Sequence, residues 1–210
     1  MSNKIRVLIV DDHAMVRVVL SQAIERQRDL VLIGTAANGS EALELYRQHQ
    51  PDVVTMDFKL PGMTGIECTA ALRREFPAAK VLLLSIYEGS EDLWRATQAG
   101  AAGYLSKSVE IKEVLQAIRS VATGTRYFSA GLAEKLATRT ADQSLSSREL
   151  EVLNDIVAGR SNKEISAARH LSQSTVKFHI ANIFAKLQVP DRAQAISTAV
   201  QRGIVHLDAE

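Results

Sequence analysis

Five polar residues, Asp11, Asp12, Asp57, Ser85 and Lys107, stand at the C-terminal ends of short apolar runs, and no other feature constrains the fold so tightly. The runs are Ile5–Val10, Val53–Met56, Val81–Leu84 and Gly103–Leu105. In an open parallel sheet the carboxyl ends of the strands converge, so these side chains are expected to share one acidic pocket. The segments between the runs read as helices over 14–26, 40–48, 65–75, 91–99 and 111–123, with a further strand over 31–36. Alternating strands and helices imply right-handed parallel crossovers and a doubly wound α/β domain. Asn38-Gly39, Pro61-Gly62 and Gly100 mark the turns.

Three carboxylates facing a lysine and a hydroxyl suit a hard divalent cation and a phosphoryl group, because Mg²⁺ prefers oxygen ligands and keeps several waters. The set Asp11-Asp12-His13, Met56-Asp57 through Pro61-Gly62, Ser85 and Gly103-Tyr104-Leu105-Ser106-Lys107 resembles the receiver domain of two-component response regulators, over roughly residues 4–123. The resemblance implies a flavodoxin-like, five-stranded parallel sheet of order 2-1-3-4-5. It implies Asp57 as the phosphoacceptor for a sensor histidine kinase. Mg²⁺ would be held by Asp12, Asp57 and the backbone carbonyl of Lys59, with Asp11 acting mainly through a bound water. Lys107 would meet the phosphoryl oxygens. Ser85 would be the switch hydroxyl, and Tyr104 would rotate into the space left when the loop after Ser85 moves inward. Tyr104 also reads as a static core aromatic. Lys59 and Tyr87 are expected at the pocket mouth, where their bulk would slow hydrolysis of the aspartyl phosphate.

The chain's 210 residues are enough for one large or two small domains. No uninterrupted apolar stretch approaches the ~20 residues of a membrane span, and no signal-peptide pattern opens the sequence, so a cytoplasmic protein without membrane contact is expected. The single cysteine, Cys68, excludes an intramolecular disulfide and reads as a buried, inert thiol. Charge is uneven: residues 1–125 carry 14 Lys and Arg against 15 Asp and Glu, whereas residues 145–205 carry 8 against 5. That excess is too small to prove nucleic-acid binding.

Residues 124–144 lose the strand pattern and read as a linker with one short helix, over 130–138. Four helices are expected beyond it, over 147–158, 162–168, 173–187 and 192–202. Ser146 with Glu149 and Ser161 with Glu164 form capping-box patterns, and Ser172 and Asp191 are further cap candidates. Gly159 and Gly203 read as stops. Val176, Ile180, Ile183 and Leu187 recur at helical spacing and are expected to face a core, which turns Ser174, Phe178, Ala181, Asn182 and Ala185 outward. In the last helix Ala193, Ile196, Ala199 and Val200 are expected inward.

The run Leu145-Ser-Ser-Arg-Glu-Leu-Glu-Val-Leu, with Gly159-Arg-Ser-Asn-Lys-Glu-Ile, Ser174-Thr-Val-Lys-Phe-His and Lys186-Leu-Gln-Val, resembles the LuxR-type helix-turn-helix domain. The chain therefore divides into a receiver (1–123), a linker (124–144) and a small all-α DNA-binding domain (145–210), an arrangement that looks like the NarL/FixJ response regulators. The resemblance implies a phosphorylation-dependent regulator of transcription that binds double-stranded DNA as a homodimer. Lys177 and Phe178 are the candidates for base edges, with Ala181 permitting close approach; Phe178 also reads as packing on a thymine methyl or on its own helix. Ser161, Asn162, Lys163, Thr175, Asn182 and Lys186 are assigned to phosphates. Gln194, Ala195, Ser197, Thr198 and Gln201 are assigned to dimerisation, a solvated helix being the alternative.

Activation by relief of an interdomain contact or by dimerisation stays open. One rival is a constitutive DNA binder whose receiver is only an interaction module. Another is a haloacid-type phosphatase, disfavoured because Lys59 stands where a second acid would follow Asp57. The receiver would assist only its own phosphorylation and dephosphorylation, so the chain is not read as an enzyme.

Overall fold

The computed structural model describes residues 4–87, 89–129, 131 and 145–205. The chain divides into two compact units. The first alternates β1 (Ile5–Val10), α1 (Ala14–Glu25), β2 (Leu30–Ala36), α2 (Gly39–His49), β3 (Val53–Asp57), α3 (Gly65–Glu75), β4 (Val81–Ser85), α4 (Ser90–Gln98), β5 (Gly103–Ser106), α5 (Ile111–Ala122) and β6 (Tyr127–Phe128). All pairings are parallel and the order is β2-β1-β3-β4-β5-β6.

Helices on both faces bury the central strands, so β3 and β4 are buried at every position and read as continuous apolar runs. Period-two alternation sends Val7, Ile9, Leu82, Leu84 and Leu105 into one core layer, which packs on Leu20 and Ile24 of α1 and Ile118 and Val121 of α5. The register pairs Val10 with Met56, Asp57 with Leu84 and Ser85 with Ser106, so the polar strand ends stand side by side. Cys68 is buried against Gly39, and burial pushes its thiol up to about 11, as fits an inert sulfur.

The sheet has six strands, one more than the sequence pattern predicts. Tyr127 and Phe128 extend it by pairing with Gly103 and Tyr104. Two residues are too few to display alternation, which is why the pattern is lost after Thr123. Of the helix expected over 130–138, all but residue 131 lies outside the described residues.

The second unit is helical: α6 (Ser147–Val157), α7 (Asn162–Arg169), α8 (Gln173–Leu187) and α9 (Arg192–Gln201). Both expected capping boxes are formed, Ser146 with Glu149 and Ser161 with Glu164. Ser172 accepts from the Thr175 amide and Asp191 from the Gln194 amide. Gly159 and Gly203 hold φ of +80° and +68°, as their roles as stops require. Val176, Ile183 and Leu187 are buried in a core shared with Val152, Leu153 and Ile156 of α6, and Ile180 is packed at its margin.

Two expectations for α9 are corrected. Ala195 is fully buried with Ala199, one turn away, and Ala193 is exposed. Alanine is compatible with either face of a helix. Here it occupies the inward positions because close helix approach requires small side chains, and no hydropathy pattern reveals that.

Candidate functional site

The sheet places the acids by backbone alone. Asp57 ends β3, and α3 starts so close behind it that a Cβ on Gly65 would strike the Asp57 carbonyl. The Gly65 amide donates to the Phe58 carbonyl (2.8 Å), and the Thr64–Glu67 capping box fixes the start of α3. Asp11 and Asp12 follow β1. Their carbonyls both accept from the Arg17 guanidinium, at 2.6 and 3.0 Å. Arg17 is absent from the sequence-based assignment because an arginine in the first turns of a helix reads as a solvated charge.

Lys107 reaches over the strand ends. Its Nζ lies 2.7 Å from Oδ2 of Asp11 and 2.9 Å from Oδ2 of Asp57. Burial works against the Lys107 charge, yet the two carboxylates outweigh it and hold the ammonium above its ordinary value. Burial, opposed by Lys107 and reinforced by Asp11, pushes the Asp57 carboxyl up to about 6. The Lys59 amide points to Oδ1 of Asp57 at 3.4 Å.

Asp11, Asp12, His13 and Asp57 each offer one ligand atom, and these atoms lie within 4.8 Å of one another. Oδ1 of Asp12 is occluded from solvent and lies 2.6 Å from Nδ1 of His13. Three carboxylates converging in this way fit a hard cation that takes oxygen ligands.

Ser85 is buried, and its Oγ accepts from the Tyr87 amide at 2.9 Å. Tyr104 is fully buried, and its hydroxyl donates to the Tyr87 carbonyl at 2.8 Å. Its ring meets Phe58 edge-on. His13, Val16, Asp57, Lys59, Ser85, Ile86, Tyr87 and Lys107 are among the walls of a cleft of about 280 Å³. The structure thus brings together all the residues expected in the pocket, with Lys59 and Tyr87 lining it.

In the helical unit α8 turns an outer face to solvent. Phe178 is 63% exposed, Lys177, Ala181 and Ala185 are exposed, and Thr175 and Asn182 are half-buried. Lys186 is committed elsewhere, its Nζ lying 2.7 Å from Oε2 of the buried Glu149. Burial raises the Glu149 carboxyl, but Lys186 and the Ser146 bonds outweigh it and hold it below the usual range. At the start of α7, Glu164 accepts from the Ser161 amide and hydroxyl, and Ser161 Oγ accepts from the Glu164 amide. Two of the amides that would attract an anion are therefore already taken. Asn162 is half-buried and Lys163 exposed. On α9 Gln194, Ser197 and Gln201 are exposed and Thr198 is half-buried, while Ala195 is unavailable to a partner.

A parallel sheet with acids and a lysine at its strand ends, joined to a capped helix-turn-helix, defines a two-domain response regulator. Residues 7–119 match the response regulator receiver domain, and residues 143–199 match the bacterial regulatory proteins of the luxR family. The chain belongs to the LuxR-type two-component response regulators. It is 35% identical over 206 residues to the response regulator protein VraR of Staphylococcus aureus, covering 96% of this chain and 99% of that one. A LuxR-family response regulator from Aurantimonas sp. is 38% identical with a TM-score of 0.62, over 64% of this chain and 96% of its own. The response regulator RcsB, solved in complex with DNA, has a TM-score of 0.70 over 95% of this chain and 99% of its own. At 20% identity that last likeness carries the fold alone.

Proposed function

We propose that Asp57 accepts a phosphoryl group from a phosphohistidine of a sensor kinase, and that this modification governs DNA binding by the helical unit. An Asp57 carboxylate oxygen attacks phosphorus, the P–N bond of the donor breaks, and the imidazole departs with a proton. Asp11, Asp12, Asp57 and the Lys59 carbonyl are the residues that would hold Mg²⁺, which neutralises charge between carboxylate and phosphate when bound. Lys107, already bridging Asp11 and Asp57, is placed to exchange a carboxylate for a phosphoryl oxygen without moving far. Ser85 donates its hydroxyl proton to the phosphoryl group while its oxygen keeps the Tyr87 amide, so that its movement carries the loop and Tyr104 with it.

The observation that carries this reading is the Lys107 bridge over a raised, buried Asp57 at a strand end. On the output side, Lys177 and Phe178 approach base edges beside Ala181, while Ser161, Asn162, Lys163, Thr175 and Asn182 meet phosphates. The exposed residues of α9 join two copies on paired half-sites. The protein acts in the cytoplasm, as a regulator and not by turnover of a substrate. Among the described residues no helix is long and apolar enough to cross a membrane.

The test is DNA affinity at fixed salt for wild type and Asp57→Asn, with and without Mg²⁺ and a small phosphodonor. Tightening by the donor in wild type alone supports the reading. Equal binding by both proteins under every condition would make the receiver an interaction module.

A further inference from the structure

Arg17 stands in the first turn of α1, where an arginine ordinarily extends its head into water. Here it is half-buried and folds back over the corner between β1 and α1. One nitrogen, Nη1, donates to the Asp11 carbonyl at 2.6 Å and to the Asp12 carbonyl at 3.0 Å. Both carbonyls lie between the end of β1 at Val10 and the N-cap of α1 at His13, outside the sheet ladder and outside the helix. Charge-assisted bonds are roughly twice as strong as neutral ones, so two from a single nitrogen fix the peptide planes on which the acids are mounted. The Asp11 side chain is held separately: Oδ1 accepts from the His13 amide at 2.9 Å and Oδ2 from Lys107 Nζ at 2.7 Å. Among the described residues Arg17 pairs with no carboxylate.

We propose that Arg17 is a positioning residue for the divalent cation: it sets Asp11 and Asp12 from behind, through their carbonyls, and leaves their carboxylate oxygens open. The proposal rests on the metal-assisted phosphoacceptor reading and deepens it. Lys107 also holds Asp11, but it exchanges a carboxylate for a phosphoryl oxygen during transfer. Arg17 keeps its partners, so the corner holds its shape through the reaction. The side from which the charge acts matters as well. Three neighbouring acids repel one another, and a guanidinium laid on their carboxylates would have to be displaced before Mg²⁺ could enter. On the carbonyls it offsets part of that repulsion without competing for the ligand oxygens. The alternative is that Arg17 only anchors α1 to the sheet, in which case its loss lowers stability and leaves ion binding alone. A pure charge effect has the opposite sign, since removing a cation beside the pocket would tighten Mg²⁺.

The experiment compares wild type, Arg17→Met and Arg17→Lys on the full chain. Methionine keeps an apolar stem and removes the donors, whereas a lysine ammonium can offer one nitrogen to both carbonyls, as Nη1 does. Calorimetry gives the Mg²⁺ dissociation constant, and phosphorylation of Asp57 by acetyl phosphate is followed as Mg²⁺ is raised. Arg17→Met should weaken Mg²⁺ binding by about tenfold and raise the half-maximal Mg²⁺ for phosphorylation by the same factor, with the rate at saturating Mg²⁺ unchanged. Arg17→Lys should restore most of the affinity. In the metal-free proteins the ¹³C carbonyl resonances of Asp11 and Asp12 should move in Arg17→Met and return towards wild type in Arg17→Lys, which reads the corner without the ion. Arg17→Gln, a shorter polar side chain, takes the place of the methionine variant if that one does not fold. Unchanged or tighter Mg²⁺ binding without the arginine, or a lower saturated rate at an unchanged Mg²⁺ midpoint, overturns the role of Arg17. The phosphoacceptor reading then survives alone, provided that wild type binds Mg²⁺ and is phosphorylated on Asp57. Failure of wild type to do either overturns both.

Discussion

The Tyr104 hydroxyl donates to the Tyr87 carbonyl at 2.8 Å, tying the middle of β5 to the loop that follows Ser85. Because the Tyr87 amide is simultaneously held by Ser85 Oγ, one residue of that loop is gripped from both sides. The aromatic and the hydroxyl are therefore linked through two hydrogen bonds on a single residue, and neither can move without the other noticing.

Tyr104→Phe keeps the buried ring and removes one of those bonds. The cost to stability should be about 1 kcal/mol, read from urea unfolding. Amide exchange at Ile86 and Tyr87 should rise while exchange in β3 and β4 stays slow. Uniform change across the sheet would contradict a local tether.

Stability should fall as pH rises from about 4 to about 6 through the Asp57 contribution. The folded carboxyl titrates near 6, so within that window the native protein holds a proton that the unfolded chain has released. A shift of about two units corresponds to about 3 kcal/mol. Asp57→Asn should therefore gain on wild type between pH 4 and pH 7 in denaturant titrations. Parallel pH profiles for the two proteins would refute this.

Lys186 and Lys163 should part company in their effects. Lys186→Gln leaves the buried Glu149 without its cation and should destabilise the helical unit by about 1–2 kcal/mol, with little change in the salt dependence of DNA binding. Lys163→Gln should leave stability nearly unchanged and lower the slope of log K against log salt by about 0.9. Thermal melts and binding at several salt concentrations check both.

Gly103→Ala should detach β6. A Cβ at Gly103 would lie 2.6 Å from the Tyr127 carbonyl and 2.7 Å from Leu82 Cδ1. Yielding outward is easier for a two-residue edge strand than for the buried Leu82. The Tyr127 amide, now 3.1 Å from the Ala102 carbonyl, should lose its exchange protection.

The sheet and its pocket were legible because each apolar run ends in a polar residue and every join carries a turn or cap signal. Helices α3 and α8 start and stop where the pattern predicts. What escaped had no one-dimensional signal. β6 is too short to alternate, Arg17 acts through carbonyls at the end of β1, and Lys186 meets Glu149 across 37 positions of sequence. The orientation of α9 turned on alanines, whose place follows from how near two helices approach. Residues defined by local periodicity were recovered; those defined by a distant partner needed three dimensions.

The sixth strand bears on how the first unit can be handled in isolation. An uncovered sheet border offers unpaired amides and carbonyls to any neighbouring chain. Here the border that β5 would present, Gly103-Tyr104-Leu105-Ser106, is short, nearly uncharged and partly sheathed by Tyr127 and Phe128. A fragment cut after Thr123, where the sequence pattern ends, would bare this strip and invite association between copies by strand addition. A fragment carried through Ser129 keeps its own seal.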